Sequence, residues 1–411
     1  MSILVPCYNE QSIIKTSIEG MLRLSYSNRE VIYINDGSSD KTMEELDALL
    51  NLRDCEMKKS NDSLAHAAIK GFYQSSKYPY IYVLDKENGG KADSLNAGIL
   101  FSTSDLIVTL DADSILSKEA LEITNSKFQD RDMIAAGGLV HVLQAANSNA
   151  EVPSLTMKIK NILRLQMLEY IKTYYVYKTS LAHLNALYVI SGVFGIFKKD
   201  VLLKVNGFRK TVGEDMDITL KIHKYMMNNP DKKMISIPEA LCYTECPETW
   251  KDLFKQRVRW QKSYVDCLFK FKGFLFKTMF RKLVSFFFIV EGLFVNTLGN
   301  YIMSIAVLAG ILLHPLLIVH IGLLYIGGRL IWNILYSIEA VYISKKHMAH
   351  SIKQGKLFST VILDACFYRF LIAWILMYGT IAYLFNSYSW NKVSRTGKDY
   401  QLEEKPQSMS N

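Results

Sequence analysis

Three long apolar stretches occupy the last third of this 411-residue sequence and constrain its fold more than any other feature. They run over residues 283–313, 316–343 and 357–386. A helix needs about 20 apolar residues to cross a bilayer, so each stretch is long enough to span a membrane. Soluble helices in their place would have to be apolar on nearly all faces. The sequence therefore predicts a transmembrane region of about three helices over 283–390, followed by a polar tail over 391–411.

A few charged residues interrupt these stretches, and charges inside membrane spans have specific uses. They face a bundle interior or a water-filled path, or they pair neighbouring helices. Both interpretations are open here, and they concern Glu291, Arg329, Asp364 and Arg369.

The first 116 residues follow a different pattern, in which short apolar runs that end in polar turn residues alternate with helix-like stretches. This alternation is typical of an α/β sheet. The runs cover residues 3–6, 31–34, 80–84 and 106–110. Ligands of open α/β sheets bind beyond the carboxyl ends of the strands, so we expect the polar clusters after these runs to converge on one crevice. The clusters are Tyr8-Asn9-Glu10, the Asn35–Asp40 turn, the Lys86–Lys91 loop and Asp111-Ala112-Asp113.

Basic residues interleaved with aromatic ones fill residues 251–282. Eight Phe, Trp and Tyr side chains lie there among many Lys and Arg, in a chain of net charge +9. This pattern indicates one or two interfacial helices on an anionic membrane face, and a solvated helix of the globular domain is the alternative.

The distribution of positive charge predicts the orientation of the chain. Basic residues before the first stretch and between the second and third place the globular domain in the cytoplasm by the positive-inside rule. Three spans then put the tail outside, although the tail carries Lys392, Arg395 and Lys398. Either the tail breaks the rule or one stretch is re-entrant.

The start of the chain and its cysteines suit a cytoplasmic domain. Residues 2–6 read as a buried strand and not as a signal peptide, so we expect the working domain to start at residue 1. A start site placed too far downstream is the alternative. The six cysteines form no C-x-x-C pair, which excludes a zinc knuckle and indicates a reducing compartment.

Two motifs of the first half are suited to a diphosphate. Asp111 and Asp113 follow a buried strand, and two such carboxylates hold a divalent cation while leaving positions for phosphate oxygens. Asn88-Gly89-Gly90-Lys91 offers close backbone approach and a point charge for a diphosphate. Alone, each motif is also explained by a solvated turn.

Two further acidic positions have a functional and a structural interpretation. Asp36 follows a strand and precedes Gly37, where it accepts hydrogen bonds either from a nucleoside or, as a cap, from the next helix. Glu214 and Asp215 precede an amphipathic stretch, so they are expected near a helix start. A carboxylate there acts as a general base if it reaches a hydroxyl, and capping is the alternative.

The sequence Gln256-Arg257-Val258-Arg259-Trp260 places Gln256, Arg259 and Trp260 on one helical face. An arginine there is suited to a leaving diphosphate, and an indole stacks on a sugar ring.

Taken together and in this order, these motifs resemble the signature of membrane-embedded family 2 glycosyltransferases, the processive synthases of cellulose, chitin, hyaluronan and poly-N-acetylglucosamine. The resemblance covers nearly the whole chain. It implies a GT-A fold, which is a Rossmann-like nucleotide-sugar-binding α/β domain, over residues 1–250, followed by the interfacial and transmembrane regions. It also implies a UDP-sugar donor, inversion at the anomeric carbon and export of the polymer.

The resemblance assigns roles to individual residues. Asp215 would be the catalytic base, with Glu214 beside it in the substrate site, and Asp111 and Asp113 would hold Mg²⁺ or Mn²⁺. Ser191 would lie in a loop behind the acceptor sugar. The donor would be bound by Tyr8, Glu10, Asp36, Lys91 and Asp111, and the pyrophosphate and acceptor by Gln256, Arg259 and Trp260.

Among these synthases the chain looks most like the poly-β-1,6-N-acetylglucosamine type, on the basis of Pro247-Glu248-Thr249 and the Ile190–Val193 run. Gln261-Lys262-Ser263-Tyr264 is closer to the hyaluronan type, and Gly213 replaces a usual threonine. A transferase that adds one sugar to a lipid carrier or glycolipid, and a non-catalytic glycan binder, are the alternatives. The expected partners are a UDP-sugar, a polysaccharide or glycolipid acceptor, the plasma membrane and a small membrane subunit, with no nucleic acid.

Overall fold

The computed structural model describes residues 1–56, 63–146, 155–313, 315–346 and 354–385, so the polar tail predicted over 391–411 lies outside the described residues. The chain divides into two compact units. Among the described residues, the first unit combines Met1–Leu143 with Leu187–Glu245, and the second combines Gln144–Ala186 with residues 246–385. Residues 144–186, which the sequence interpretation placed in the globular domain, thus group with the helical half of the chain.

A ten-stranded mixed sheet forms the centre of the first unit as described. The strand order is β3-β4-β5-β2-β1-β6-β9-β8-β10-β7. The strands are β1 Ser2–Cys7, β2 Glu30–Asp36, β3 Leu52–Asp54, β4 Ile69–Ser75, β5 Ile81–Lys86, β6 Leu106–Leu110, β7 Ser114–Leu116, β8 Met133–Val142, β9 Phe194–Lys198 and β10 Lys233–Thr244.

The middle of this sheet confirms the four predicted strands and their alignment. β1 pairs in parallel with β2 and β6, and β2 pairs in parallel with β5. The carboxyl ends of these four strands therefore meet at one edge, and the predicted polar clusters follow them there. β9 pairs antiparallel to β6 and brings the turn before Phe194 to the same edge, because Leu110 lies opposite Phe194.

Both faces of the parallel strands are buried, as expected when helices cover a parallel sheet. On one face Ile3, Val5, Val31 and Tyr33 join the main apolar core. On the other face Gly98 lets its helix approach closely, since an added Cβ would lie 2.7 Å from Cδ1 of Ile34. The helices of the first unit are α1 Ile14–Leu22, α2 Thr42–Leu50, α3 Lys91–Phe101, α4 Ala120–Lys127, and, further along the chain, α7 Lys199–Lys204 and α8 Glu214–Met226.

The second unit is helical throughout its described residues, apart from short turns and an isolated bridge near residue 146. It begins with α5 Asn161–Ile171, a π-helical segment Lys172–Tyr177 and α6 Lys178–His183. It continues with α9 Trp250–Thr278, α10 Leu283–Phe287, the π-helical Phe288–Gly299, α11 Asn300–Leu313, α12 Pro315–Lys345, α13 Gln354–Leu363, the π-helical Asp364–Tyr368 and α14 Arg369–Phe385.

Three helices of this unit are long and apolar enough to cross a membrane, which confirms that prediction in length and composition. They are Leu283–Leu313, Leu316–Lys345 and Gly355–Phe385, with mean hydropathies of 1.6, 1.5 and 1.8. In each of the first two helices, 6% of the 18-residue apolar segment is buried in the protein, against 33% in the third helix. The third apolar helix, Gly355–Phe385, is therefore the one most enclosed by the rest of its unit.

The basic and aromatic segment forms one continuous helix, α9, and not two. It lies beside the third apolar helix in the same direction. Trp250 contacts Phe367 near the start, and the Gln261 amide donates to Thr380 Oγ1 at 2.9 Å further along. Near the end, Phe269 stacks on Tyr383 with ring centroids 6.1 Å apart. One face of α9 thus packs against an apolar helix, and two aromatic side chains on that face, Trp250 and Phe269, remain 44% and 52% exposed.

The buried carboxylate of Asp364 has polar partners within the second unit. It accepts from Lys172 Nζ at 2.8 Å and from Asn333 Nδ2 at 2.8 Å, and Arg369 Nε lies 3.1 Å from its second oxygen. These contacts tie three helices of the second unit together. Of the two interpretations of charges in the apolar stretches, helix pairing is the one that the geometry of Asp364 favours.

Candidate active site

Lys91 lies at the centre of a charged cluster at the carboxyl edge of the sheet. It is the first residue of α3, and its Nζ donates to Asp111 Oδ1 at 2.5 Å and lies 3.2 Å from Glu214 Oε1. Burial lowers the pKa of Lys91, but the carboxylates of Asp111, Glu214 and Asp215 outweigh it and raise the pKa above its ordinary value. A permanently charged ammonium thus lies among three carboxylates.

Gly192 brings this cation and the predicted base together. Its carbonyl accepts from Lys91 Nζ at 3.3 Å, and its N–H donates to Asp215 Oδ2 at 3.3 Å. An added Cβ would lie 3.2 Å from Lys91 Nζ and 3.3 Å from Asp215 Cβ, so a larger residue would shift these groups by a few tenths of an ångström. The backbone of one residue, Gly192, therefore contacts both Asp215 and Lys91.

The turn that carries Gly192 is anchored to α8. The Ile190 N–H donates to Thr219 Oγ1 at 2.9 Å, and that hydroxyl donates to the Asp215 carbonyl at 2.6 Å. Ser191, predicted to lie behind the acceptor, is half-buried in this turn. Asp215 and Glu214 lie in the first turn of α8, which begins at Glu214 as the sequence predicts.

The Asp36 carboxylate accepts hydrogen bonds from Lys86 and from the glycine loop that follows it. The buried carboxylate accepts from Lys86 Nζ at 2.5 Å and from the N–H groups of Gly89 and Gly90 at 3.0 and 2.8 Å. It does not cap α2, where the Thr42 N–H donates to Asp40 Oδ1 instead. Asp36 therefore holds the glycine loop that leads into Lys91, because its oxygens are the acceptors for that loop's N–H groups.

The remaining residues predicted for the donor also lie at this edge. Tyr8 follows β1 and is 45% exposed. Glu10 is buried, and its N–H donates to Thr42 Oγ1 at 2.8 Å. Asp113 is buried as well, and its Oδ1 accepts from Ser114 Oγ at 3.0 Å and from Thr244 Oγ1 at 3.3 Å. Ten residues named for donor, metal and base chemistry or for the adjacent loop thus belong to one unit and one sheet edge: Tyr8, Glu10, Asp36, Lys91, Asp111, Asp113, Ser191, Gly192, Glu214 and Asp215.

The other predicted residues belong to the second unit, on α9. Gln256 and Arg259 are half-buried, and Trp260 is 41% exposed. The residue between them in sequence, Arg257, is 2% exposed, and its guanidinium lies over the Trp260 ring with Cζ 4.0 Å from the centroid. The helical face that carries Trp260 therefore includes a buried arginine that the sequence interpretation did not single out.

Two glycosyltransferase family models match this sequence. A model described as glycosyl transferase family 2 matches residues 2–202, and one described as glycosyl transferase family group 2 matches residues 106–386. The chain belongs to the family 2 glycosyltransferases. Its mixed sheet is that of the GT-A fold. The resemblance stated from the motifs is therefore confirmed.

Named relatives narrow the similarity further. The chain is 31% identical over 297 residues to a poly-β-1,6-N-acetyl-D-glucosamine synthase of Staphylococcus aureus (strain COL), covering 69% of this chain and 61% of that protein. It is 30% identical over 272 residues to a protein of the same name from Staphylococcus epidermidis, covering 66% and 56%. The chain thus spans about three fifths of the length of the curated relatives it matches.

A solved structure supports the fold. A mannosyltransferase of Pyrobaculum calidifontis, in complex with GDP-Man and Mn²⁺, superposes with a TM-score of 0.56 at 14% identity, covering 90% of this chain and 87% of that one. At that identity the match shows the shared architecture of this glycosyltransferase and no more.

Asp111 and Asp113 are the residues at this edge that suit a divalent metal ion. Among the described residues, no three His, Cys, Asp or Glu side chains are grouped to hold a metal. Asp111 and Asp113 supply two carboxylates, and Mg²⁺ or Mn²⁺ suits carboxylate, water and phosphate oxygens. The residues therefore fit a cation that is completed by a substrate diphosphate, and not one enclosed by protein ligands alone.

The sequence interpretation missed several residues that position the site. Lys86 has a fully buried side chain that pairs with Asp36 and, at 2.7 Å, with Asp93. Its signal was a lysine in the last position of β5, two residues after an apolar run. Nothing in the sequence indicated Thr219, because its role depends on contact with a turn 29 residues away.

Proposed function

We propose that this glycosyltransferase transfers N-acetylglucosamine from UDP-N-acetylglucosamine to the growing end of a β-linked polysaccharide, with inversion at the anomeric carbon. The observation that carries the proposal is the backbone of Gly192, which contacts a candidate base, Asp215, through its N–H and a cation suited to a leaving diphosphate, Lys91, through its carbonyl. The similarity to poly-β-1,6-N-acetyl-D-glucosamine synthases supports the choice of sugar.

In the proposed reaction Asp215 accepts the proton of the acceptor hydroxyl as its oxygen bonds to the anomeric carbon. The bond from that carbon to the diphosphate breaks on the opposite side, and its electron pair leaves with UDP. Lys91 then stabilises the negative charge that develops on the diphosphate, as a fixed cation does where charge appears in the transition state. A proton moves to Asp215 and a charge moves towards Lys91.

The diphosphate competes for Lys91 with the carboxylates that hold it in this structure. Asp111 lies 2.5 Å from Nζ, and its side chain is 27% exposed. Mg²⁺ or Mn²⁺ bound by Asp111 and Asp113 would neutralise diphosphate charge during this step. It would also occupy the Asp111 carboxylate and so free Lys91 for the donor.

The uridine end of the donor would contact Tyr8 and Glu10 beside β1, with Asp36 next to them. Because protein donors already surround the Asp36 carboxylate, we assign it mainly to positioning the Gly89-Gly90 loop. That loop ends at the amino terminus of α3, where N–H groups and the helix dipole favour a phosphate.

In the second unit, the α9 residues Gln256, Arg259 and Trp260 would bind the acceptor. An indole that is 41% exposed offers a flat face to a sugar ring. The three apolar helices would cross the plasma membrane with the first unit in the cytoplasm, and the basic part of α9 would meet anionic lipid. A small membrane subunit is a further proposed partner.

The test uses membranes that hold the full chain and measures UDP release and product size. UDP-N-acetylglucosamine, UDP-glucose and UDP-glucuronate are supplied singly and in pairs, with and without EDTA. We expect metal-dependent release from UDP-N-acetylglucosamine alone, together with long product.

Other outcomes would redirect the proposal. A requirement for two donors together would indicate a hyaluronan-type synthase. Release with addition of one sugar only would indicate a transferase that acts on a lipid carrier or glycolipid. No turnover of any donor, in membranes where the protein binds UDP, would contradict the enzyme proposal for this chain without a partner.

A further inference from the structure

Arg257 is the largest of the fully buried side chains among the described residues, although it lies on a helix rich in exposed charges. It is 2% exposed, and its Nη2 donates to Glu169 Oε2 at 2.7 Å and to the Tyr368 hydroxyl at 3.4 Å. The Tyr368 hydroxyl also donates to Glu169 Oε2, at 2.8 Å. These three side chains form a closed triangle that we call the Arg257 triangle.

The rest of the guanidinium has a different contact. Nε and Nη1 of Arg257 make no hydrogen bond among the described residues, and the flat face of the group lies over the Trp260 indole at 4.0 Å. A planar, delocalised cation suits stacking on an aromatic ring, whereas the compact ammonium of lysine does not. Arg257 therefore uses one nitrogen for the triangle and its face for Trp260.

The triangle joins three helices of the second unit. Glu169 lies on α5, Arg257 on α9 and Tyr368 on the third apolar helix. The Tyr368 ring also contacts Trp250, the first residue of α9, with centroids 6.5 Å apart. The orientation of the Trp260 ring is thus fixed from beneath by groups that have little access to solvent.

We propose that Arg257 is a positioning residue that holds Trp260 ready to stack on the acceptor sugar and thereby sets how many sugars are added before the product leaves. The proposal rests on the proposed function. One face of the indole is covered by Arg257, so a sugar ring stacks on the remaining exposed surface. Without the guanidinium the ring turns about its side-chain bonds, and acceptor binding weakens while donor binding is unchanged.

The experiment compares variants of the full chain in membranes supplied with UDP-N-acetylglucosamine. Arg257→Lys keeps the charge opposite Glu169 but loses the flat stacking face. Arg29→Lys is the matched control, because Arg29 also stacks on an aromatic ring, that of Tyr80 at 4.7 Å, but lies in the first unit. Product length, kcat for UDP release and KM for the donor are measured, with folded protein quantified by size-exclusion chromatography.

We expect Arg257→Lys to shorten the product about threefold to tenfold, with donor KM within about twofold of the original. Tyr368→Phe, which keeps the pair of Arg257 with Glu169, is expected to shift length less, in the same direction. In a Trp260→Ala background, Arg257→Lys should add no further shortening, because it acts through that ring. Arg29→Lys should leave length unchanged.

The outcomes separate this proposal from the proposed function. Unchanged length in Arg257→Lys, or shortening that adds fully to that of Trp260→Ala, would overturn the positioning role. An unaltered chain that adds a single sugar and builds no polymer would contradict the proposed function instead. In that case acceptor KM becomes the readout: a rise in Arg257→Lys supports positioning, and an unchanged value overturns it.

Discussion

Lys91 in the first unit and Arg257 in the second are both cations held between two oxygen-bearing side chains, but they differ in their access to solvent. The side chain of Lys91 is 17% exposed, and its partners Asp111 and Glu214 are 27% and 12% exposed. The side chain of Arg257 is 2% exposed, with Glu169 at 16%. The Lys91 cluster lies at an open sheet edge, whereas the Arg257 triangle is enclosed by helices.

This difference indicates two uses of charge in one enzyme. At the open edge a diphosphate or a metal ion can displace the carboxylates that hold Lys91, so the cluster can change partners during turnover. Within the helices the partners of Arg257 are fixed, since separating a buried charge from its partner leaves it unpaired and desolvated. We therefore interpret the first cluster as reactive and the second as supporting.

Among variants at the residues that distinguish the two clusters, the largest effect is expected from Lys91→Gln. It removes the fixed charge opposite the leaving diphosphate, and kcat should fall by about 10²- to 10³-fold, the usual loss when one group that stabilises transition-state charge is removed. Steady-state UDP release measures it. An unchanged kcat would contradict the reactive interpretation of the open cluster.

A smaller effect, measured here as a loss of stability, is expected from Asp36→Asn. The change leaves the fully buried Lys86 with Asp93 as its remaining carboxylate partner, so the free energy of unfolding should fall by about 3 kcal/mol. Asp111→Asn is the matched control and should cost less than about 1 kcal/mol, since its pair is partly exposed. Thermal unfolding of the detergent-solubilised protein measures both losses. Equal losses would contradict the difference in stability between the buried Asp36 pair and the partly exposed Asp111 pair.

Gly192→Ala should act on rate alone. The new Cβ would lie 3.2 Å from Lys91 Nζ and 3.3 Å from Asp215 Cβ, which shifts these groups by a few tenths of an ångström. We expect kcat to fall about tenfold, because small displacements of reacting groups reduce rate steeply. Gly273→Ala on α9 is the control, since a Cβ there meets nothing within 4 Å.

The smallest effect concerns pH. The pKa of Lys91 is raised, because the carboxylates of Asp111, Glu214 and Asp215 outweigh the lowering by burial. Its charge, and any stability from it, is complete below the ordinary lysine pKa and is lost only as pH rises through the raised value. Asp111→Asn removes the strongest of these carboxylates, so the alkaline loss of thermal stability of the unliganded protein should begin at lower pH. An unchanged pH dependence in the variant would show that deprotonation of Lys91 does not cause the alkaline loss.

The sequence was most informative where the determining pattern is local. β1, β2, β5 and β6 were predicted because each is a continuous apolar run followed by polar residues, and their parallel pairing follows from that pattern. β8 was not singled out, since it contains Gly137 and Gly138 and glycine is rare in strands. Gly138 is explained by packing, because a Cβ there would lie 2.0 Å from the Phe194 ring.

Contacts between distant segments could not be predicted in this way. Asp36 and Lys86 are 50 residues apart, and only the pairing of β2 with β5 brings them together. The helical face of Gln256, Arg259 and Trp260 followed from spacing, but the burial of Arg257 depends on where α5 and the third apolar helix pack. Helical periodicity alone does not say which of two arginines two residues apart is enclosed.

The most direct test of the central claim is sugar transfer by Asp215→Asn in membranes where the variant is shown to bind UDP. The account predicts that UDP binding is retained and that release of UDP from UDP-N-acetylglucosamine falls by about 10²- to 10⁴-fold, the range for loss of a general base. Transfer at an undiminished rate by a variant that binds UDP would contradict Asp215 as the base, and with it the assignment of the Gly192 edge as the catalytic centre.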